Sequence, residues 1–267
     1  MTFLSVFITN NVSSSVDKNI SNQMLDAVTS RASLIEDYVS DAEKKILEFS
    51  LSSEVKNLLK KPDDKKTVAK AQSYTENFAA VDDIFEGLYI ATPETKVLTH
   101  TNKDAIGITT RTGEALESMQ KDILSVKKVT NAGIMMSKGA SNAMVMSLYY
   151  PVYDDDKCIG FVGAAVYADR LMDSITSIDI KGLPNKEYIF LNNADNSYIY
   201  NQDSELINQV SEDKGCLGVA DTLKNAEENK TGTYSYTDDD DTSYLTVYSY
   251  MAVSYTHLRA HETRSNL

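Results

Sequence analysis

Residues 143–167, AMVMSLYYPVYDDDKCIGFVGAAVY, hold two long runs rich in β-branched and aromatic residues, 143–153 and 158–167, on either side of an acidic turn at 154–156. Runs of this composition bounded by turn residues read as strands, and so short a link makes them an antiparallel pair. Upstream, 85–92 (FEGLYIAT) and 96–101 (KVLTHT) form a second strand pair around Pro93 and Glu94. Between the pairs, the spacing of Ala115, Leu116, Met119, Ile123 and Val126 predicts a helix over 113–126. An antiparallel sheet with helices on one side follows.

The same order recurs downstream. After a helical segment at 170–178 and the break at Gly182 and Pro184, strands are expected at 187–192, 197–201, 232–237 and 243–251, with a helix near 220–229. No sequence repeat accompanies this, so the likeness is one of topology. Upstream of both patterns, Met24, Val28, Ile35, Val39, Ala42, Ile46 and Phe49 fall at spacings of three, four and seven, one stripe of a helix over about 19–60. At 1.5 Å per residue it would be ~60 Å long. Such a helix can serve as a stalk and dimer seam or pack on its own domain. Lys60, Lys61 and Pro62 end it, and 67–81 reads as a second helix. The fold class expected is α+β, a long N-terminal helix followed by two antiparallel-sheet modules.

The 267 residues suggest two domains. A formal net charge of −13 argues against nucleic-acid and anionic-membrane partners. Cys158 and Cys216 are too few and too far apart for a disulfide scaffold or an ordinary zinc site. Gly-x-Ser-x-Gly, Walker and metal-ligand spacings are missing, so no catalytic, metal or cofactor site is expected. The acidic run at 238–241 lacks the spacing of an EF-hand and reads first as a hairpin turn.

Both ends need separate treatment. MTFLSVFI at 1–8 is apolar but far shorter than the ~20 residues of a membrane span, and reads as the remnant of one, with the first turns of a soluble helix as the alternative. VSYTHLRAHET at 253–263 has neither helical nor strand periodicity and resembles translated sequencing-library adaptor. Residues 252–267 are therefore set aside as an artefact, which removes His257 and His261 and leaves His100 as the only histidine.

In order and spacing, LYIAT at 88–92, KVLTHTN at 96–102, IGITTRTGE at 106–114, NAGI at 131–134, SLYYPVYDD at 147–155, IGFVGA at 159–164, EYIFLN at 187–192 and YSYMA at 248–252 resemble the double Cache (dCache) extracytoplasmic sensor domain of bacterial methyl-accepting chemotaxis proteins. The resemblance spans nearly all of 19–251. It implies two tandem PAS-like modules, membrane-distal at 66–169 and membrane-proximal at 170–251, the latter incomplete, after a stalk helix at 19–65 and a membrane remnant at 1–18. It further implies a homodimer through the stalk, membrane attachment through the N-terminal span and a missing second span, and a cell-membrane receptor with its sensor domain outside. The sensor region of a histidine kinase or diguanylate cyclase, or a non-sensory extracellular structural module, are the alternatives.

The resemblance also places a small-molecule ligand between the sheet and the loop–helix segment 102–130. Relatives that bind amino acids or amines carry an Arg-x-Trp-Tyr string in that loop, a Tyr-x-Asp string on the next strand and an Asp on the last. Here there is no Trp, and the three positions hold Gly133, Met135 and Ala165, so an α-amino acid is not implied. What remains is Arg111 with His100, Tyr89, Thr109, Asn131, Ser137, Ser147 and Tyr149. A guanidinium fork suits a carboxylate or phosphate, and an organic acid is the expected ligand. Solvated-loop and Glu114-paired readings of Arg111, a backbone-satisfied His100, and core filling by Met135, Met136, Met144 and Met146 stand beside it.

Overall fold

The computed structural model describes residues 2–11, 18–136, 143–168, 187–192, 195–225, 231–239 and 241–253. They form two compact units. The middle unit lies within 40–170; the split unit joins 1–39 to 171–253.

Helix α1, Lys18–Ser50, supplies residues to both. The expected stripe is buried along it: Met24, Val28, Ile35, Val39, Ala42, Ile46 and Phe49 are each at most 5% exposed. The helix is shorter than the periodicity suggests. It ends at Ser50, and Ser52 caps α2, Ser53–Lys60, by accepting a hydrogen bond at Oγ from Val55 N. A serine competes for backbone donors at a helix start, which a purely apolar pattern does not register. Helix α3, Lys65–Val81, is capped likewise by Asp64.

The sheet of the middle unit comprises β2 (Phe85–Ala91), β3 (Val97–His100), β4 (Thr130–Met136), β5 (Met144–Asp154) and β6 (Lys157–Tyr167) in the order β3-β2-β6-β5-β4, antiparallel throughout. Strand β4 was not read from the residue pattern, which Asn131 and Gly133 weaken, and only the family resemblance put Gly133 and Met135 on a strand; the ladder shifts register between Asn131 and Ile134 to absorb them. Helix α4, Gly113–Asp122, and the following turn lay Met119, Ile123 and Leu124 on one face, against Ala91, Tyr149 and Phe161.

The split unit repeats this plan with β7 (Glu187–Asn192), β8 (Ser197–Tyr200), β9 (Thr231–Thr237), β10 (Ser243–Val253) and helix α5 (Lys214–Asn225). Its sheet has the order β8-β7-β1-β10-β9. Cys216 and Val219 of α5 pack on Ile189, Leu191, Tyr198 and Tyr248. Strand β1 is Thr2–Asn11, the segment expected to be the end of a membrane helix. Antiparallel pairing with both β10 and β7 satisfies its backbone, and its β-branched and aromatic residues favour a strand. No helix among the described residues is long and apolar enough to cross a membrane. The helical segment expected at 170–178 lies outside the described residues, as does 254–267.

The two units share more than strand order. In the middle unit, Gly107 N donates to Val97 O, Val97 N to Ile108 O, and Thr110 N to Thr95 O. In the split unit, Asn208 N donates to Tyr198 O, Tyr198 N to Gln209 O, and Ser211 N to Asn196 O. Each loop thus folds back along the edge strand by the same three bonds. Thr95 and Asn196 both take positive φ, 64° and 56°.

Candidate functional site

The alternation of a strand sets the site. Ladder partners share a face, so His100, Tyr89, Gly163 and Tyr149 form one row across β3, β2, β6 and β5. The next row toward the other end holds only small residues: Gly87, Ala165 and Ser147. His100 lies over Gly87, where a Cβ would come within 3.1 Å of the imidazole. The Tyr89 ring occupies the space a side chain at Gly163 would need. Tyr89 stacks on His100, with centroids 5.4 Å apart, and meets Phe161 edge-on at 6.0 Å.

Arg111 reaches this row from the loop. Its backbone is clamped by Thr95: Arg111 N donates to Thr95 Oγ1 at 2.9 Å, and that hydroxyl donates to Arg111 O at 3.1 Å. Arg111 Nη2 then donates to the Tyr149 hydroxyl at 2.9 Å, with the guanidinium carbon 5.2 Å from the centre of that ring. Burial opposes the charge, but the Tyr149 and Tyr89 oxygens favour it, and its pKa is raised. Burial also pushes the Tyr89 phenol well up, so it serves as a neutral hydroxyl. Among the described residues, no carboxylate pairs with Arg111. The result is a partly buried cation with two phenols beside it and a row of small side chains next to them.

His100 is held from both sides. Gln72 of α3 donates from Nε2 to His100 O at 2.8 Å and accepts from His100 N at 3.2 Å, acting as an extra rung on the edge strand. The imidazole Nδ1 accepts from Asn102 N at 2.8 Å, which leaves Nε2 to carry the proton of the neutral ring. Burial lowers its pKa and Glu86 works in the opposite direction.

The expected residues thus sort cleanly. Arg111, Tyr89, His100 and Tyr149 come together, and Ser147 lies in the adjoining row. Thr109 is exposed and bridged to Lys96 at the loop edge. Asn131 is buried and engaged within the sheet, donating to Met146 Sδ and accepting from Gly133 N. Ser137 lies outside the described residues. Thr95, Phe161 and the glycines were missed; isolated glycines inside β2 and β6 were the available signal of close approach. Among the described residues, no three His, Cys, Asp or Glu side chains group as metal ligands. In the described part of the 238–241 run, Lys214 Nζ contacts Asp238 at 2.8 Å and Asp239 at 2.6 Å, and Asp241 N donates to Asp238 O.

This five-stranded plan, with a clamped loop over the sheet, has known counterparts. The family model for the dCache_1 Cache domain matches residues 12–258. The chain belongs to the Cache domain family. Cache domains are sensory ligand-binding modules. In structure, this one is similar to the sensory domain of the Campylobacter jejuni chemoreceptor Tlp3 with isoleucine bound, at 14% identity, 88% of this chain, 93% of that one and a TM-score of 0.58. It is also similar to the sensor domain of the Vibrio cholerae histidine kinase DctB, at 9% identity, 86% and 97% coverage and a TM-score of 0.60. A domain of a sensory box/GGDEF family protein from Vibrio parahaemolyticus gives 11% identity, 87% and 96% coverage and a TM-score of 0.59. No curated protein matches this Cache domain in sequence. At such identities the likeness establishes the fold.

Proposed function

We propose that this Cache domain is the extracytoplasmic sensing region of a transmembrane chemoreceptor and that the middle unit binds a small organic acid through Arg111. The observation carrying the ligand class is the guanidinium itself: partly buried, aimed at Tyr149 and balanced by no carboxylate among the described residues. A carboxylate would complete it with charge-assisted hydrogen bonds, each contributing about 1.5–3 kcal/mol. Where an ammonium would need an acid, the strand positions hold Met135 and Ala165. This favours an acid over an amino acid, although Tlp3 has been solved with isoleucine, L-valine and L-norvaline.

The chemoreceptor assignment rests on the order and spacing of the residues from 88 to 252, together with the Tlp3 likeness. In this reading α1 is the seam of a homodimer, and occupancy biases a membrane-linked output through the ligand's unequal affinity for two conformations. Sensor regions of histidine kinases and diguanylate cyclases remain the second reading, favoured by the equal structural likeness to DctB and to the GGDEF family protein.

Calorimetry with a panel of mono- and dicarboxylic acids tests the ligand class. At least one acid should bind one-to-one, and Arg111→Ala should weaken it roughly 10–100-fold. If no acid binds, or if Arg111→Ala binds as well as the wild type, the assignment of Arg111 fails. The coding sequence following Met251 in the source genome tests the receptor class: a second membrane span and a chemotaxis output domain are expected.

A further inference from the structure

The split unit carries the same loop clamp as the middle unit, with different chemistry placed on it. Counting from the shared bonds, Asn201 takes the place of His100 and Ile189 that of Tyr89. Glu212 and Asp213 follow Ser211 as Arg111 and Thr112 follow Thr110. Replacing an imidazole and a phenol with an amide and a sec-butyl group leaves room. A cavity of about 350 Å³ lies there, lined by Tyr188, Ile189, Tyr198 and Leu206 with Asn201, Gln202, Asp203 and Asp213.

The polar wall is acidic. Asp203 and Asp213 contribute two carboxylates, and no lysine or arginine lines the cavity. Lys214, next in sequence, is turned to Asp238 and Asp239 on the β9–β10 turn. The walls are firmly set: Ser211 Oγ donates to the Tyr198 hydroxyl at 2.7 Å, while Asp213 Oδ1 accepts from Cys216 N at 2.8 Å at the start of α5. Carboxylates beside tyrosine rings stabilise an organic ammonium by charge pairing and cation–π attraction.

We propose that the split unit holds a second small-molecule site, specific for a protonated amine, so that the two units of this Cache domain bind ligands of opposite charge on one loop design. The proposal uses the middle-unit site only as a precedent for the loop; amine binding and Arg111-dependent acid binding can fail separately.

The test uses the full 267-residue chain and three molecules with the same four-carbon spine: putrescine, 1,4-butanediol and succinate. Calorimetry should give one-to-one putrescine binding that weakens with added salt, with no 1,4-butanediol binding of similar strength. Asp203→Asn with Asp213→Asn removes both charges yet keeps an oxygen for the backbone bonds from Glu205 N and Cys216 N. Putrescine affinity should fall roughly tenfold or more in this variant. It should be unchanged in Arg111→Ala and in a surface control, Asp63→Asn with Glu117→Gln. Absence of saturable putrescine binding, an equal loss in the surface control, or binding retained by the double variant would overturn the proposal. So would butanediol or succinate binding at this site as strongly as putrescine.

Discussion

Two ionisable side chains of the middle unit respond to acid in opposite directions. Glu43, on α1, has its pKa raised from 4.5 to about 7 by burial, and its Oε1 has no hydrogen-bond partner. Between those values the folded chain holds a proton that the unfolded chain has released, so this group makes folding more favourable as the pH falls from 7 to 4.5. Burial lowers the pKa of His100 from 6.5. Its contribution is present above that value and is lost as the pH drops through 6.5 toward the depressed folded value. Removing the carboxyl separates the two. Glu43→Gln should raise the thermal midpoint at pH 8 and steepen its fall on acidification from 7 to 5, as followed by circular dichroism. A midpoint unchanged at pH 8 would show that Glu43 bears no desolvation cost. Thr95 invites a second test at this scale, since it is a β-branched residue at positive φ whose hydroxyl makes both hydrogen bonds to the Arg111 backbone. Thr95→Val should weaken acid binding several-fold, and Thr95→Ser should restore it; equal binding by all three would mean the clamp does not position Arg111.

At the scale of elements, the starts of helices and the glycines in strands set the geometry. Replacing Ser52 by Ala removes the Oγ acceptor for Val55 N and should lower stability by about 1 kcal/mol, measurable by urea unfolding. Gly163→Ala would drive a methyl group into the Tyr89 ring. Acid binding should fall more than overall stability, because the ring that must move belongs to the site. Much of this level was legible beforehand. The alternation of β5 and β6, the α1 stripe and the Pro93–Glu94 turn are all local patterns, and Arg111 stood out as the only arginine between Arg31 and Arg170. Less legible were features that depend on partners distant in sequence. The bulge in β4 lets a strand tolerate Asn131 and Gly133, and a positive φ at Thr95 has no compositional mark. Asn131 looked like a ligand group because its polar atoms are visible in sequence while their partners, Met146 and Gly133, are not.

At the scale of the whole molecule, the two sheets share one strand order but fill the slot next to their first strand differently. In the middle unit, β6 occupies it and is joined to β5 by a tight turn. In the split unit, β1 occupies it, with Phe3 opposite Ala252 and Asn11 opposite Tyr244. Deleting residues 1–11 should therefore open the split unit and spare the middle one. Hydrogen exchange should show protection lost from β7 and β10 but kept in β2, β5 and β6. Unchanged protection in β7 and β10 would mean that β1 contributes little to the sheet.

The same arrangement sets a timetable for the nascent chain. Once its last strand has been synthesised, the middle unit can complete its sheet through a local hairpin, and such short-range closure is fast. The split unit joins β1 to β10, with the whole middle unit between them in sequence, so its central strand leaves the ribosome well before its partner and waits for it. During that wait an uncharged, β-prone segment is exposed with both edges open, and segments of this kind seed misassembly. The two halves of one architecture would thus mature on different clocks.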